Sequence, residues 1–377
     1  MSSVFAKVVE VKEVRNAENS DNLSLINCLG WWVISSKNSD GSHRYKVGQP
    51  VIYIEVDSLL DRKFIEFFFK NSKIAPDSPE KHRVRSIRIR KNLSQGIILD
   101  PQEQELLNLY PKLKNARLGD DVADILNIKK WEPPVSSLPR GMQVQNVVKR
   151  HPLFKEYTDI DNFRRYSDVL ENGEEIVATL KLHGTSCRAA MLERYPINFL
   201  EKILKFFKLL PKWEYAIGSR RVQVNRRKDF TGFYGEDVYT KAVLDAGLID
   251  KLEPNVQLFM EIVGKGIQSF NYGFDKHRVF VYDVMKDGIY LDYDDAKKYC
   301  QEKEIEMVPE LYRGPYSEEV IHKLRNANDH ELDKNVPCRE GVVFKPIKER
   351  NSHQIGRVIL KAISDEYYMQ KDVTDFH

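Results

Sequence analysis

The sequence predicts an α+β protein in two parts, and three observations predict it: short β-prone runs parted by polar turns up to about residue 125, a proline-rich stretch at 131–141, and a longer region beyond it that mixes apolar strands with helical periodicity. The chain of 377 residues with 42% hydrophobic content is long enough for two ordinary cores. We therefore expect a first domain at 1–130, a linker at 131–141 and a second domain at 142–377.

In the first part, Phe5 to Val11 has near period-two alternation and reads as a strand. Asn16 to Asn22 is a polar turn, Leu23–Cys28 and Gly30–Ser35 are a second and third strand, and a turn at Val47 to Pro50 enters the strongly β-prone Val51-Ile52-Tyr53-Ile54. Several short strands closing on themselves, with one helix among them, point to a small barrel of OB type. Arg83-Val84-Arg85-Ser86-Ile87-Arg88-Ile89-Arg90 lies in this part. A regular strand there would mix charge with core on one face, whereas a bulge near Ser86 would return Arg83, Arg85, Arg88 and Arg90 to a single face as a phosphate-contacting strip. A solvated barrel face is the competing reading.

Three prolines between Trp131 and Gly141 cannot continue a helix or central strand, which is why the linker is placed there. Beyond it, strands are expected at Glu175–Thr179, Arg188–Leu192, Tyr215–Ser219, Val256–Val263, Val279–Val284, Gly341–Phe344 and Arg357–Ala362. Helices are expected at Thr240–Ala246, Tyr293–Glu302 and Ser317–Ala327. Between Tyr195 and Trp213, the residues Phe199, Ile203, Phe206, Phe207 and Leu210 fit helical spacing opposite Lys202, Lys205 and Lys208. A helix packed on the domain, or a contact for a partner or RNA, would have this pattern.

Composition excludes several classes. With 59 basic and 56 acidic residues the net charge is only +3, so a polyanion partner would have to be met by local clusters. The four cysteines, Cys28, Cys187, Cys300 and Cys338, form no C-x-x-C pair and read as free thiols of a reducing compartment. The N-terminal MSSVFAKVVEVKEV lacks the apolar run of a signal peptide, and Ile197–Leu210 is too short and too charged to span a bilayer. A cytoplasmic or nuclear protein is expected.

The chemistry centres on a β-prone run ending in Lys181-Leu182-His183-Gly184-Thr185, which brings a lysine to a strand end before a glycine turn. To attack phosphorus the amine must be neutral, so its pKa has to fall from about 10.4 towards 7, at a cost of roughly 4–5 kcal/mol met by burial and a nearby cation. Further on come Ser219-Arg220-Arg221, a lone acid in Phe259-Met260-Glu261-Ile262, an aromatic and an acid in Val281-Tyr282-Asp283, then Arg339-Glu340-Gly341 before an apolar strand, and Lys361 near the end of another. Each alone is ordinary. Together, a nucleophilic lysine, a stacking aromatic, acids for ribose and metal, and cations for phosphate are what nucleotidyl transfer requires.

In that order these segments resemble motifs I, Ia, III, IIIa, IV and V of the covalent nucleotidyltransferases, the superfamily of DNA ligases, RNA ligases and mRNA capping enzymes. The K-x-H-G-T form resembles RNA ligases. The segment from Lys155 to Tyr166, with Tyr53-Ile54-Glu55-Val56-Asp57 and Leu93-Ser94-Gln95-Gly96-Ile97, is similar to the fifth RNA ligase family, in which an OB domain precedes the adenylation domain. The resemblance implies an adenylation domain of antiparallel sheets flanked by helices and an ATP-dependent RNA ligase, working as a monomer with Mg2+ or Mn2+ on RNA 3′-hydroxyl and 5′-phosphate ends. It implies that Lys181 attacks the α-phosphate of ATP, that Arg220 binds nucleotide and polarises Lys181, that Glu261 contacts ribose, and that Tyr282 stacks on adenine in preference to Phe280. Glu340, with Glu261, would organise the metal, and Lys361 would neutralise charge on the phosphate. Leu182, His183, Gly184, Arg188 and Lys345 would complete the nucleotide pocket. A DNA ligase, a capping-type enzyme and a non-catalytic OB-containing RNA-binding protein are the alternatives.

The pattern is broken twice. Motif V usually shows K-x-K, but here Lys361-Ala362-Ile363 has isoleucine at the second position, for which Lys345 could compensate. The insertion at Tyr195–Trp213 is the other departure.

Overall fold

The computed structural model describes residues 5–70, 76–131, 150–196, 199–224 and 236–370. They fall into two compact units, one of residues up to 131 with 368–370 and the other of residues 150–367. Apart from Trp131, the expected linker lies outside the described residues.

Unit one contains strands β1 (Ala6–Glu10), β2 (Glu13–Asn16), β3 (Leu23–Cys28), β4 (Trp31–Ser36), β5 (Pro50–Ile54), β6 (Ser58–Asp61), β7 (Lys81–Arg83), β8 (Ser86–Ile89), β9 (Asn92–Gln95), β10 (Ile97–Leu99) and β11 (Lys129–Lys130), with helices α1 (Arg62–Phe69) and α2 (Gln104–Leu109). The strands pair as small sheets in the orders β1-β5-β10, β2-β3-β4, β11-β6-β7 and β8-β9, not as one continuous ladder. Alternation sets their inward faces: in β3 it is Ser24, Ile26 and Cys28 that are buried. Helix α1 starts where the Asp61 carboxylate accepts the Phe64 amide at 3.0 Å, and it delivers Phe64 and Ile65 to a core shared with Val8, Ile52, Leu106 and Val122.

The strand does break where a bulge was expected, between Arg83 and Ser86, but the four arginines do not end on one face. Arg83 is buried, donates to the Asp57 carboxylate at 2.8 Å and lies 3.5 Å from the Trp131 ring centroid, so it is unavailable to phosphate. Arg85 and Arg88 are exposed, with Arg85 paired to Asp77 at 2.6 Å, and the exposed Arg90 reaches Ser20 at 3.1 Å. The break shifts the phase by too little to undo the pull of a buried carboxylate on Arg83.

Unit two contains β12 (Asp161–Asn162), β13 (Glu175–Lys181), β14 (Thr185–Glu193), β15 (Trp213–Ser219), β16 (Val256–Val263), β17 (Arg278–Lys286), β18 (Ile289–Tyr290), β19 (Glu310–Pro315), β20 (Gly341–Pro346), β21 (Asn351–Ser352), β22 (Gly356–Arg357) and β23 (Leu360–Ile363). Helices α3 (Phe199–Phe206), α4 (Val238–Asp245), α5 (Leu248–Lys251), α6 (Tyr293–Glu302) and α7 (Glu318–Asn326) lie between them. Two five-stranded sheets result, β12-β23-β20-β13-β19 and β15-β14-β16-β17-β18, antiparallel except where β12 meets β23. The expected strand at Arg357–Ala362 is split, and β19 and β12 had no clear sequence signal.

Each sheet has one apolar face. Ile176, Ala178, Val342, Phe344, Leu360 and Ala362 of the first build one core with Ile321 of α7. Cys187, Ala189, Met260, Ile262, Val281 and Val284 of the second build another with α4, α5 and α6. With helices burying these faces, period two leaves the polar residues of both sheets to the opposite faces, which meet where Lys345 of β20 donates to Asp283 of β17 at 2.8 Å.

Replacing Arg83 by Ala leaves Asp57 buried without its guanidinium, and urea unfolding should show unit one destabilised by about 3–5 kcal/mol. A shift below about 1 kcal/mol, the range of a surface pair, would show that the pair does not support the fold.

Candidate active site

Backbone register assembles the site. Lys181 ends β13 opposite Gly341, which stands opposite Ile363 of β23, so the three share a row and a face. The next rows on that face carry Thr179, Val343 and Lys361, then Val177 and Lys345. Gly341 has to be small: a Cβ there would lie 2.2 Å from the Ala362 carbonyl oxygen. Its predecessor Glu340 is thereby set beside the strand end, where its buried carboxylate takes the Lys181 ammonium as ion-pair and hydrogen-bond partner. Lys181 itself keeps 18% of its side chain exposed and so remains reachable from solvent.

Glu340 is fixed from behind. The preceding Arg339 is fully buried, donating to Asp333 at 2.5 Å, Asp329 at 2.8 Å and the Leu324 carbonyl at 2.7 Å. The Glu340 carbonyl accepts the Ser364 amide at 2.9 Å. Burial would raise the Glu340 carboxyl, but the Lys181 ammonium and His183 more than offset it and bring it down to about 2.

His183 is held on every side. Its amide donates to the Tyr272 hydroxyl at 2.7 Å, its Nδ1 meets Tyr367 Oη at 2.8 Å and lies 3.5 Å from Glu340, and its Nε2 meets Ser269 Oγ at 3.0 Å. The next residue, Gly184, admits no side chain, because a Cβ would stand 2.3 Å from the Ile262 carbonyl oxygen and 2.8 Å from Glu261 Cγ. That contact lets β16 bring Glu261 against the turn after Lys181. Glu261 is opposite Ser186 in the ladder, and burial pushes its carboxyl up to about 8, further raised by Glu340 and opposed by Lys181 and Arg220. Two carboxyls flanking one amine are thus driven apart, one ionised and one held near neutrality.

Tyr282 sits where the β16–β17 register slips: Phe259 pairs with Asp283 but Met260 with Val281, so Tyr282 is the extra residue of a bulge. The slip turns its hydroxyl to Ser186 Oγ at 2.9 Å and its ring edge-on to Tyr157, with centroids 4.9 Å apart. Phe280, the other aromatic considered, is buried against Phe274 and Arg278. Arg220 leaves the end of β15 and pairs with Asp159 near Glu261 and Tyr282.

Of the residues expected at the site, the structure brings together Lys181, His183, Gly184, Arg220, Glu261, Tyr282 and Glu340. Leu182 is buried beside them and Lys361 lies buried one row from Lys181 on the same face. Arg188 is fully buried, donating to the Ser219 carbonyl at 2.8 Å and the Lys155 carbonyl at 2.5 Å, its guanidinium 4.3 Å from the Phe154 ring centroid, with Nη2 unsatisfied. Lys345 does not compensate for Ile363: its ammonium is committed to Asp283 at 2.8 Å and Glu349 at 2.7 Å, in a network with Arg357. Sequence reasoning missed Ser269 and Tyr272, whose loop has no periodicity, and Asp159, a charge in a run of charges.

The Glu340 carboxylate is a hard oxygen donor whose Oε2 is buried without a hydrogen-bond partner, and a cation's charge beside it would ionise the Glu261 carboxyl into a second donor. That set suits a divalent cation sharing its shell with phosphate oxygens. Among the described residues no group of three or more His, Cys, Asp or Glu encloses a metal unaided.

A family model described as RNA ligase matches residues 174–363, and one for an OB-fold domain matches residues 5–101. No curated protein matches the chain. Solved structures of Naegleria gruberi RNA ligase share its fold: a lysine-to-methionine mutant with AMP and Mn and a lysine-to-alanine mutant with ATP and Mn, each 21% identical with a TM-score of 0.69, and the protein with PPi, 22% identical at 0.68. In each case 97% of this chain and 98% of the other is covered.

Because the folded state holds Glu261 protonated up to about pH 8, against 4.5 for an ordinary glutamate, its contribution to stability is complete below 4.5 and is lost as pH rises to 8. Urea midpoints of the nucleotide-free protein should therefore fall across that window, and less steeply in Glu261→Gln. Parallel profiles for the two proteins would mean that Glu261 ionises as if in water.

Proposed function

The chain belongs to the RNA ligase family, and from that premise we propose that it is an ATP-dependent ligase that joins RNA 3′-hydroxyl and 5′-phosphate ends with Lys181 as nucleophile. The observation that carries the proposal is Lys181 paired with the buried Glu340 and near enough to Glu261 to act on its carboxyl, with Tyr282 next to Glu261. The fold shared with a ligase solved with ATP, AMP, PPi and Mn supports that reading.

In the first step the Lys181 ammonium gives up a proton to solvent as positive charge gathers around the bound nucleotide, and the resulting amine forms a bond to the α-phosphorus of ATP, shedding a second proton to solvent while the bond to pyrophosphate breaks. Tyr282 stacks on the base and Glu261 receives the ribose hydroxyls. Arg220 and Lys361 supply positive charge where it accumulates on the α-phosphate. A bound Mg2+ or Mn2+, held by Glu340 and Glu261 together with the nucleotide, would supply further neutralisation of phosphate charge. In the second step an oxygen of the RNA 5′-phosphate takes the adenylyl group and Lys181, regaining a proton from solvent, leaves as the amine. In the third the 3′-hydroxyl oxygen attacks that 5′-phosphate, giving its proton to solvent, and AMP departs. Positioning carries much of the rate in all three.

Unit one serves as the RNA-gripping module, with Arg85, Arg88 and Arg90 its exposed phosphate contacts and Arg83 their support. The enzyme works as a monomer inside the cell. Among the described residues no helix is long and apolar enough to cross a membrane.

Incubated with labelled ATP and a divalent metal, the protein should become labelled with AMP, Lys181→Ala should not, and GTP should not replace ATP. Gly184→Ala should react about 10²-fold more slowly, the cost of a misplacement of about 1 Å. Labelling that survives Lys181→Ala would refute the assignment, and preference for GTP would favour a capping-type enzyme.

A further inference from the structure

The excursion between β14 and β15 exposes what a globular protein normally buries. Helix α3 is amphipathic, but its apolar side faces outward, with Phe199 76% exposed, Leu200 63% and Phe206 81%, and the turn after it adds Phe207 at 64% and Leu209 at 69%. The side turned to the protein is mostly polar, its half-buried residues being Glu201, Lys205 and Leu204. Lys205 reaches back to Glu193 at 3.2 Å and to the Arg194 carbonyl at 2.6 Å. The excursion is closed at its base, where Arg194 donates to the Pro211 carbonyl at 3.1 Å and its amide to the Lys212 carbonyl at 2.8 Å. The apolar face is thus pinned in an outward orientation.

Exposed lysines border that face. Lys202, Lys208 and Lys212 all reach solvent, the last with its ammonium 5.0 Å from the Trp213 ring centroid. We infer that α3 and the turn after it dock this protein on an anionic phospholipid surface, Phe and Leu side chains entering the acyl boundary while the lysines meet headgroup phosphates. A basic border around a bulky aromatic and aliphatic face is the chemistry of helices that lie in a membrane interface. At about 12 Å the helix is far too short to cross a hydrocarbon layer of about 30 Å, so the chain lies on the surface.

Other occupants fit less well. A second copy would set the same lysines against one another, with Glu201 the only acid on the helix. RNA would use the rings and lysines, but Leu200, Ile203 and Leu209 offer nothing to bases or phosphates.

The test is co-sedimentation of the full chain with phosphatidylcholine vesicles, with and without phosphatidylserine. Binding should be at least about tenfold stronger with phosphatidylserine and should weaken with salt, as expected when several lysines each add attraction. Phe206→Ser with Phe207→Ser should lose partitioning about tenfold or more while self-adenylation is unchanged, and Lys202→Glu with Lys208→Glu should lose the phosphatidylserine preference. No pelleting, or pelleting indifferent to both variants, would overturn the inference. So would a dimer that the Phe variant dissociates, or RNA affinity lost in its place.

Discussion

The ion pair between Lys181 and Glu340 is the constraint around which unit two is built. A carboxylate as buried as Glu340 is costly unless a cation meets it, and the cation available is the amine proposed to do the chemistry. The pair exists because Lys181 ends one strand and Glu340 precedes its neighbour, with Gly341 between them too small to push β23 away. Behind it, Arg339 anchors the turn on two aspartates, and Tyr367, Ser269 and Tyr272 lock His183. A nucleophile so framed has little freedom to lose on reaching its transition state.

The sheet face that carries Lys181 separates cations by task. Lys345 and Lys361 share a sheet face with Lys181, yet Lys345 is bound within the buried Asp283–Arg357–Glu349 network. Ile363 stands in Lys181's own row, where the family pattern would place a lysine. Arg220, paired with Asp159, and Lys361, one row from Lys181, are the cations the proposal assigns to the α-phosphate. The proposed chemistry therefore leans on fewer side-chain charges than the motif implies, which suits carboxylates that can share a divalent ion with the nucleotide.

Much of this was legible in the sequence. Strands such as β13, β16 and β17 announce themselves by runs of Val, Ile and Phe, and Lys181, Glu261 and Tyr282, which they carry, belong to the proposed site. What could not be read depends on tertiary geometry. The phase slip that presents Tyr282 is set by pairing with β16, not by local composition. Arg83 looks like its neighbours until Asp57, 26 residues earlier, draws it inside. The helical spacing of 199–207 shows amphipathicity but not which side meets the protein, and here it is the mostly polar side.

Peptide mapping by mass spectrometry after incubation with ATP tests the central claim most directly, since three lysines occupy one face of one sheet. The account predicts an adenylyl group on the peptide bearing Lys181 and on no other. Its appearance on Lys345 or Lys361 would contradict it.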